Sequence, residues 1–166
     1  MAVISIFAID PGPRFSAYVE LVGATIRAHG KIGNLELLQM LRTREVNGPL
    51  VVEMIAPYGK PVGREVFETC VWIGRYLEAW QGVGRLLERK EVKQVLGLRA
   101  GGSKAATDAD VRAALITRWG GKASIGTKRA PGPLYGITAD QWAALAVAVA
   151  WRDQHAEAFA AVEAAP

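Results

Sequence analysis

Three carboxylates stand at the ends of apolar runs in this chain. Asp10 closes Ile6-Phe7-Ala8-Ile9 and is followed at once by Pro11-Gly12. Glu53 is the single acid within Leu50-Val51-Val52-Glu53-Met54-Ile55, and Asp140 stands just ahead of the apolar run Trp142 to Trp151. An unpaired carboxylate in a buried strand is costly, so Glu53 needs a metal, a basic partner or water. Each acid alone has a plainer role. Asp10 before Pro-Gly suits a turn, and Asp140 in a first helical turn suits the helix dipole. Taken together, acids ending three apolar elements are expected to gather at one edge of a sheet.

The elements that must position them follow from hydrophobic period and turn residues. Residues 2–9, 15–21 and 24–29 read as three consecutive strands, with Val22-Gly23 as a tight turn. Asn34 is expected to cap a helix over 35–42, and 50–55 is a fourth strand. A Gly/Pro loop, 57–63, leads into a helix over 65–80 whose Val66, Cys70, Ile73, Leu77 and Trp80 form an apolar stripe. Residues 84–87 read as a short fifth strand and 89–96 as a short helix. Thr107 with Asp110 forms a capping box opening a helix to about Trp119, and the last helix runs over 138–156. Three strands followed by alternating helix and strand imply an α/β fold with a central mixed sheet, antiparallel at one flank and parallel at the other, covered by helices.

Length sets one domain over 1–158, with an Ala-rich tail, 159–166, expected to fray. The lone Cys70 lies among apolar residues and reads as a buried thiol, which suits a reducing cytoplasm. Residues 1–9 lack the basic start of a secretory signal. The longest apolar run is about half the ~20 residues of a membrane span, so a soluble protein is expected. His29 and His155 are isolated and read as surface residues, with no Cys/His cluster for zinc. The net charge of +4 is unevenly spread. Residues 85–129 hold eleven Lys or Arg against four Asp or Glu, a net +7, which leaves −3 for the remainder. A one-sided basic segment is the footprint expected for a polyanion, or else a solvated helix surface.

The ordered set Ile9-Asp10-Pro11-Gly12, Val51-Val52-Glu53, Val92-Lys93-Gln94, Ala106 to Leu115, Gly132 to Gly136 and Asp140 to Val149 resembles the RNase H-like nuclease superfamily. Within it the likeness is to RuvC-type Holliday junction resolvases. Tyr58-Gly59 and Trp72-Ile73-Gly74-Arg75 are similar to their bacteriophage branch. The resemblance implies a homodimer that binds four-way DNA junctions and nicks two strands, using two Mg²⁺ per active site, with Mn²⁺ as a substitute. It maps the catalytic, metal-holding acids onto Asp10, Glu53 and Asp140. Such chemistry activates a water and steadies a leaving oxyanion, which paired divalent ions do.

Two departures accompany the likeness. The bacterial branch has an acid or His where this chain has Ala143, so a fourth ligand is absent, replaced by water, or supplied elsewhere. Asp108 and Asp110 are candidates that also fit a helix start. Of the two lysines the bacterial branch places near its site, Lys93 matches the first. The second position falls near Thr107-Asp108, with Lys104 as the nearest substitute.

Arg14, Lys60, Arg64, Arg99, Lys128 and Arg129 are expected in loops beside the elements that carry the acids, where they would contact DNA phosphates. Tyr58 would stack on an unpaired base or pack on its loop. The 65–80 helix also carries Phe67, Val71, Trp72 and Tyr76 off its stripe, an excess that suits a two-fold contact between protomers. Other readings are an RNase H-like nuclease for RNA or flaps, and a non-catalytic binder of branched DNA.

Overall fold

The computed structural model describes residues 4–163, with five strands in the order β3-β2-β1-β4-β5. The strands are β1 (Ser5–Asp10), β2 (Phe15–Val22), β3 (Thr25–Gly33), β4 (Leu50–Met54) and β5 (Gly84–Glu88). The helices are α1 (Asn34–Thr43), α2 (Arg64–Ala79), α3 (Arg89–Val95), α4 (Asp108–Arg118), α5 (Gln141–Gln154) and α6 (Ala156–Glu163). β1 pairs antiparallel with β2, and β2 with β3, whereas β1–β4 and β4–β5 are parallel. The mixed sheet expected from the sequence is therefore the one formed.

Side chains on a strand alternate between faces, and that alternation sorts β1 into two cores. Ile6 and Ala8 join Ala17, Val19, Leu21 and Val51 beneath α5, whose residues Ala144 to Ala150 are all buried. Phe7 and Ile9 join Leu50 and Val52 on the other face, against Leu37, Leu38 and Leu41 of α1 and Ile73 and Tyr76 of α2. α3 and α4 cover the α5 side through Val92, Val111 and Leu115. Burying one such aliphatic side chain contributes about 1.5–3 kcal/mol.

A polar network fixes the turn after β1. The Gly12 N–H donates to Ser16 Oγ at 3.2 Å, Ser16 donates to Asn34 Oδ1 at 2.8 Å, and Asn34 Nδ2 donates to the Gly12 carbonyl at 2.8 Å. The Ser16 proton being spent on Asn34, the Tyr76 hydroxyl at 3.1 Å donates to Ser16. Gly12 is required because a Cβ there would lie 2.5 Å from the Phe15 carbonyl oxygen.

Several expectations are corrected. Asn34 is not the α1 cap: Gly33 takes that position without a side-chain bond, because the Asn34 amide is drawn inward to Gly12 and Ser16. The buried face of α2 is Thr69, Ile73 and Tyr76, a stripe rotated from the expected one because Tyr76 reaches Ser16 under the sheet. Val66, Cys70 and Leu77 are half-buried, and Phe67 and Val71 are exposed at 63% and 61%. His29 and His155 are also half-buried: His29 Nδ1 lies 2.6 Å from Gln141 Oε1, and His155 stacks on Trp151. The expected tail continues as α6 through residue 163, with Phe159 against the core, while 164–166 and the expected strand start at 2–3 lie outside the described residues. No helix among the described residues is long and apolar enough to cross a membrane.

Candidate active site

One level of the sheet carries the acids. Ile9 pairs with Val52 in the parallel β1–β4 ladder, so the next residues along, Asp10 and Glu53, are neighbours on strands about 4.8 Å apart. Both share the parity of Ala8 and Val51, and so both face α5. Across β2 and β3 the same level continues through Ala17, opposite Asp10, and Lys31, opposite Ala17. Ala17 is too short to separate them. Asp140 enters from above as the residue preceding α5. It follows Ala139, held at φ 44°, a left-handed conformation that costs a non-glycine residue energy and concentrates at functional sites. Tyr58, at φ 45° just beyond β4, is the other such residue among those described.

The electrostatics of this level are uneven. Burial, then the negative charges of Glu53 and Asp140, push the Asp10 carboxyl up from 3.8 to about 8, against the opposing pull of Arg89 and Lys31. Burial also raises Glu53, opposed chiefly by Arg89. Glu53 Oε1 accepts from Arg89 Nη1 at 3.1 Å, while Arg89 Nη2 pairs with Asp108 and Lys31 Nζ with Asp140. Asp10 has neither a hydrogen bond nor an ion pair among the described residues, although it is largely shielded. A 390 Å³ cleft opens over Asp10, Arg89, Asp108, Arg112, Asp140 and Ala143.

These residues fit a hard divalent cation in donor chemistry, since all three acids offer carboxylate oxygens. The unpartnered Asp10, destabilised as an anion first by burial and then by its acidic neighbours, is the side chain such a cation would relieve most. As the side chains lie, no three Asp, Glu, His or Cys among the described residues converge tightly enough to hold a single ion, and two of the acids are paired with cations, Glu53 with Arg89 and Asp140 with Lys31.

The remaining candidates divide. Lys93, half-buried on α3, lies in the field of Glu53 and borders a small cavity with it. Lys104 is exposed on the Gly-rich loop, with no hydrogen bond or ion pair to the acids among the described residues. Arg14, Lys60 and Arg99 are exposed in loops, and Lys128 and Arg129 form the exposed tip of a tight turn bracketed by the Gly126–Pro131 bridge. Arg64 is the first residue of α2 rather than a loop residue, and it pairs with Glu68 at 2.7 Å. Tyr58 is 55% exposed, its hydroxyl 3.4 Å from Glu88. Asp110 is committed to the capping box with Thr107, which holds its carboxyl low.

Sequence reasoning missed Arg89, Lys31 and Arg112. Lys31 was findable, since on β3 it shares parity with His29 opposite the buried Val19. Arg89 carried no signal beyond its place directly after β5. Arg112 lines the cleft with its guanidinium 5.1 Å from the Trp142 ring centroid.

No family model matches the chain, and neither does any curated protein. Among solved structures it is similar to Thermus thermophilus RuvC, at 19% identity over 93% of this chain and 96% of that one, with a TM-score of 0.59. It is likewise similar to T. thermophilus RuvC in complex with a Holliday junction substrate, at 17% identity over the same shares, with a TM-score of 0.58. At such identities the likeness speaks to architecture, and the chain has the RNase H-like fold seen in RuvC.

Proposed function

We propose that this protein is a Holliday junction resolvase, a structure-selective endonuclease that nicks two strands of a four-way DNA junction. The observation that carries the reading is Asp10 beside Glu53 on adjacent strands, with Asp10 and Asp140 bordering one open cleft, on a fold whose solved counterpart is in complex with a Holliday junction substrate.

Asp10, Glu53 and Asp140 would hold two Mg²⁺, or Mn²⁺ in their place, which when bound supply an activated water and charge neutralisation at the leaving oxygen. The chain's own residues do the rest. Burial of Asp10 and Glu53 on adjacent strands holds their carboxylates on rigid backbone, and the Gly12–Ser16–Asn34 network keeps the end of β1 in place. Lys93 offers positive charge beside Glu53. Arg14, Lys60, Arg99, Lys128 and Arg129, all exposed, would grip phosphates, with Arg64 helping once Glu68 releases it. Tyr58 would stack on a base near the crossover. Lys104 would touch phosphate only where DNA reaches its loop.

Two strands must be cut, which suits a homodimer joined through the exposed Phe67 and Val71 face of α2. The bacteriophage branch is favoured by the Tyr58-Gly59 and Trp72 to Arg75 stretches, and the host cytoplasm by the free Cys70. The test is a gel assay of purified protein on a synthetic four-way junction, a linear duplex, a flapped duplex and an RNA hairpin, with and without Mg²⁺. Paired, Mg²⁺-dependent nicks in the junction are expected. Preferential cutting of RNA or flaps would redirect the reading to another nuclease of this fold.

A second reading has its own observation, the pairing of Glu53 with Arg89 and of Asp140 with Lys31. A binder of branched DNA that never cuts would keep such pairs permanently. It would bind junctions in EDTA and leave them whole in Mg²⁺.

A further inference from the structure

We infer that Arg89 is the cation of this site that contacts the scissile phosphate, and that Asp108 is the positioning residue that keeps it there. The inference rests on the nuclease reading above and goes beyond it to two residues which that reading does not use. Arg89 opens α3 directly after β5, and its fork ties that helix to two other elements: Nη1 meets Glu53 on β4, and Nη2 meets Asp108 on α4. Its side chain is 36% exposed, and it borders the same cleft as Asp10 and Asp140. A guanidinium is charged at every working pH and presents its donors in a plane matched to carboxylate or phosphate oxygens. No other cation among the described residues hydrogen-bonds Glu53.

Asp108 is what makes the arrangement more than a counter-ion for Glu53. Its side chain is 82% exposed, so its ion pair contributes little stability. Nor is it needed as a cap, because Thr107 and Asp110 already close the α4 start. What remains is orientation. When Glu53 gives its oxygens to a divalent cation, Arg89 keeps one carboxylate partner, and its other N–H groups turn to the next anion in the cleft. Bound DNA makes that anion a phosphate. Arg89 makes and breaks no bond; it offsets charge on the non-bridging oxygens as the phosphorus passes through its crowded state. The competing cations are worse placed. Lys31 is paired with Asp140, and Lys93 borders the small cavity beside Glu53 rather than the cleft. Lys104 has no hydrogen bond or ion pair to the acids among the described residues, and the Arg112 guanidinium rests over Trp142.

The test combines single-turnover cleavage of a four-way junction in Mg²⁺, junction affinity in EDTA, and Mn²⁺ affinity by electron paramagnetic resonance. It uses the full chain and the variants Arg89→Ala, Arg89→Lys, Asp108→Asn and the Arg89→Ala/Asp108→Asn pair. Arg89→Ala should slow cleavage by about 10²–10³-fold, the loss typical of one donor aimed at developing charge. Its junction affinity should stay within about threefold, since many phosphate contacts share that burden. Asp108→Asn should slow cleavage by about tenfold alone and by nothing further in the Arg89→Ala background, the signature of a residue acting through its partner. Mn²⁺ affinity should be unchanged in Asp108→Asn and no weaker in Arg89→Ala, which removes a nearby positive charge. Should Arg89→Ala fail to fold, Arg89→Lys, retaining charge but not the fork, should cut at an intermediate rate.

An Asp108→Asn effect that persists without Arg89, or that weakens Mn²⁺ binding, would make Asp108 a metal ligand and overturn the assignment. Full-rate cleavage by Arg89→Ala, or by Arg89→Lys if the alanine variant does not fold, would overturn it as well. Wild-type protein that binds junctions and never cuts them sinks the nuclease reading and this inference together, whereas a cutting enzyme indifferent to Arg89 sinks only the inference.

Discussion

Replacing Asp10 by Asn should make the metal-free protein more stable, and increasingly so as pH rises. Folded Asp10 holds its proton up to about pH 8, whereas the unfolded chain loses it near 3.8. Between those values the native state binds more protons than the unfolded state, so wild-type stability falls with rising pH. The slope approaches about 1.36 kcal/mol per pH unit. Across the interval from 3.8 to about 8 the ceiling is therefore about 5–6 kcal/mol. Local rearrangement, such as Lys31 or Arg89 turning toward the carboxylate, would lower this to about 2–4 kcal/mol. Asn fills the same volume and never ionises, so the variant escapes the loss. Urea unfolding in EDTA at pH 5, 6.5 and 8 should show wild type and Asp10→Asn close at the acid end and separated by several kcal/mol at pH 8. Saturating Mg²⁺ at about a hundred times its Kd should then return about 2.7 kcal/mol to the wild type and much less to the variant. A wild-type–variant difference that stays flat from pH 5 to 8 would refute the account of Asp10 as an acid kept protonated by burial and by its neighbours' charges.

Glu53→Gln and Asp140→Asn should each abolish cutting while leaving junction affinity nearly intact, because phosphate contacts dominate binding; either mutant cutting at full rate leaves the site. Junction affinity should fall steeply with added salt, and replacing Lys128 and Arg129 together by Gln should flatten the log–log slope by about two, so an unaltered slope places that turn away from DNA. Tyr76→Phe removes one donor from the buried Ser16 cluster and should cost about 1–2 kcal/mol in urea unfolding. Phe67→Asp with Val71→Asp should shift sedimentation from dimer to monomer and uncouple the two nicks. A wild type that already sediments as a monomer at working concentration would remove α2 as an interface.

Much of this was legible in the chain because it is local. The continuous apolar runs at Ile6–Ile9 and Leu50–Val52, the Thr107–Asp110 capping box and the apolar α5 each follow from a few adjacent residues, and they recur in the fold. So does the arrival of an acid at the end of each element. What adjacent residues do not specify is lateral register and the partners reached across it. The β1–β4 pairing that sets Asp10 beside Glu53, and the Lys31–Ala17–Asp10–Glu53 level on one face, arise only when four strands settle against α5. Lys31 meets Asp140 across 109 residues, and Arg89 meets Glu53 across 36. The rotation of α2 likewise depended on a hydroxyl finding Ser16 60 residues away. Helical and strand periods are written one residue after the next, whereas the choice of which charge neutralises which is made by packing, and packing alone set these acids among the chain's own cations.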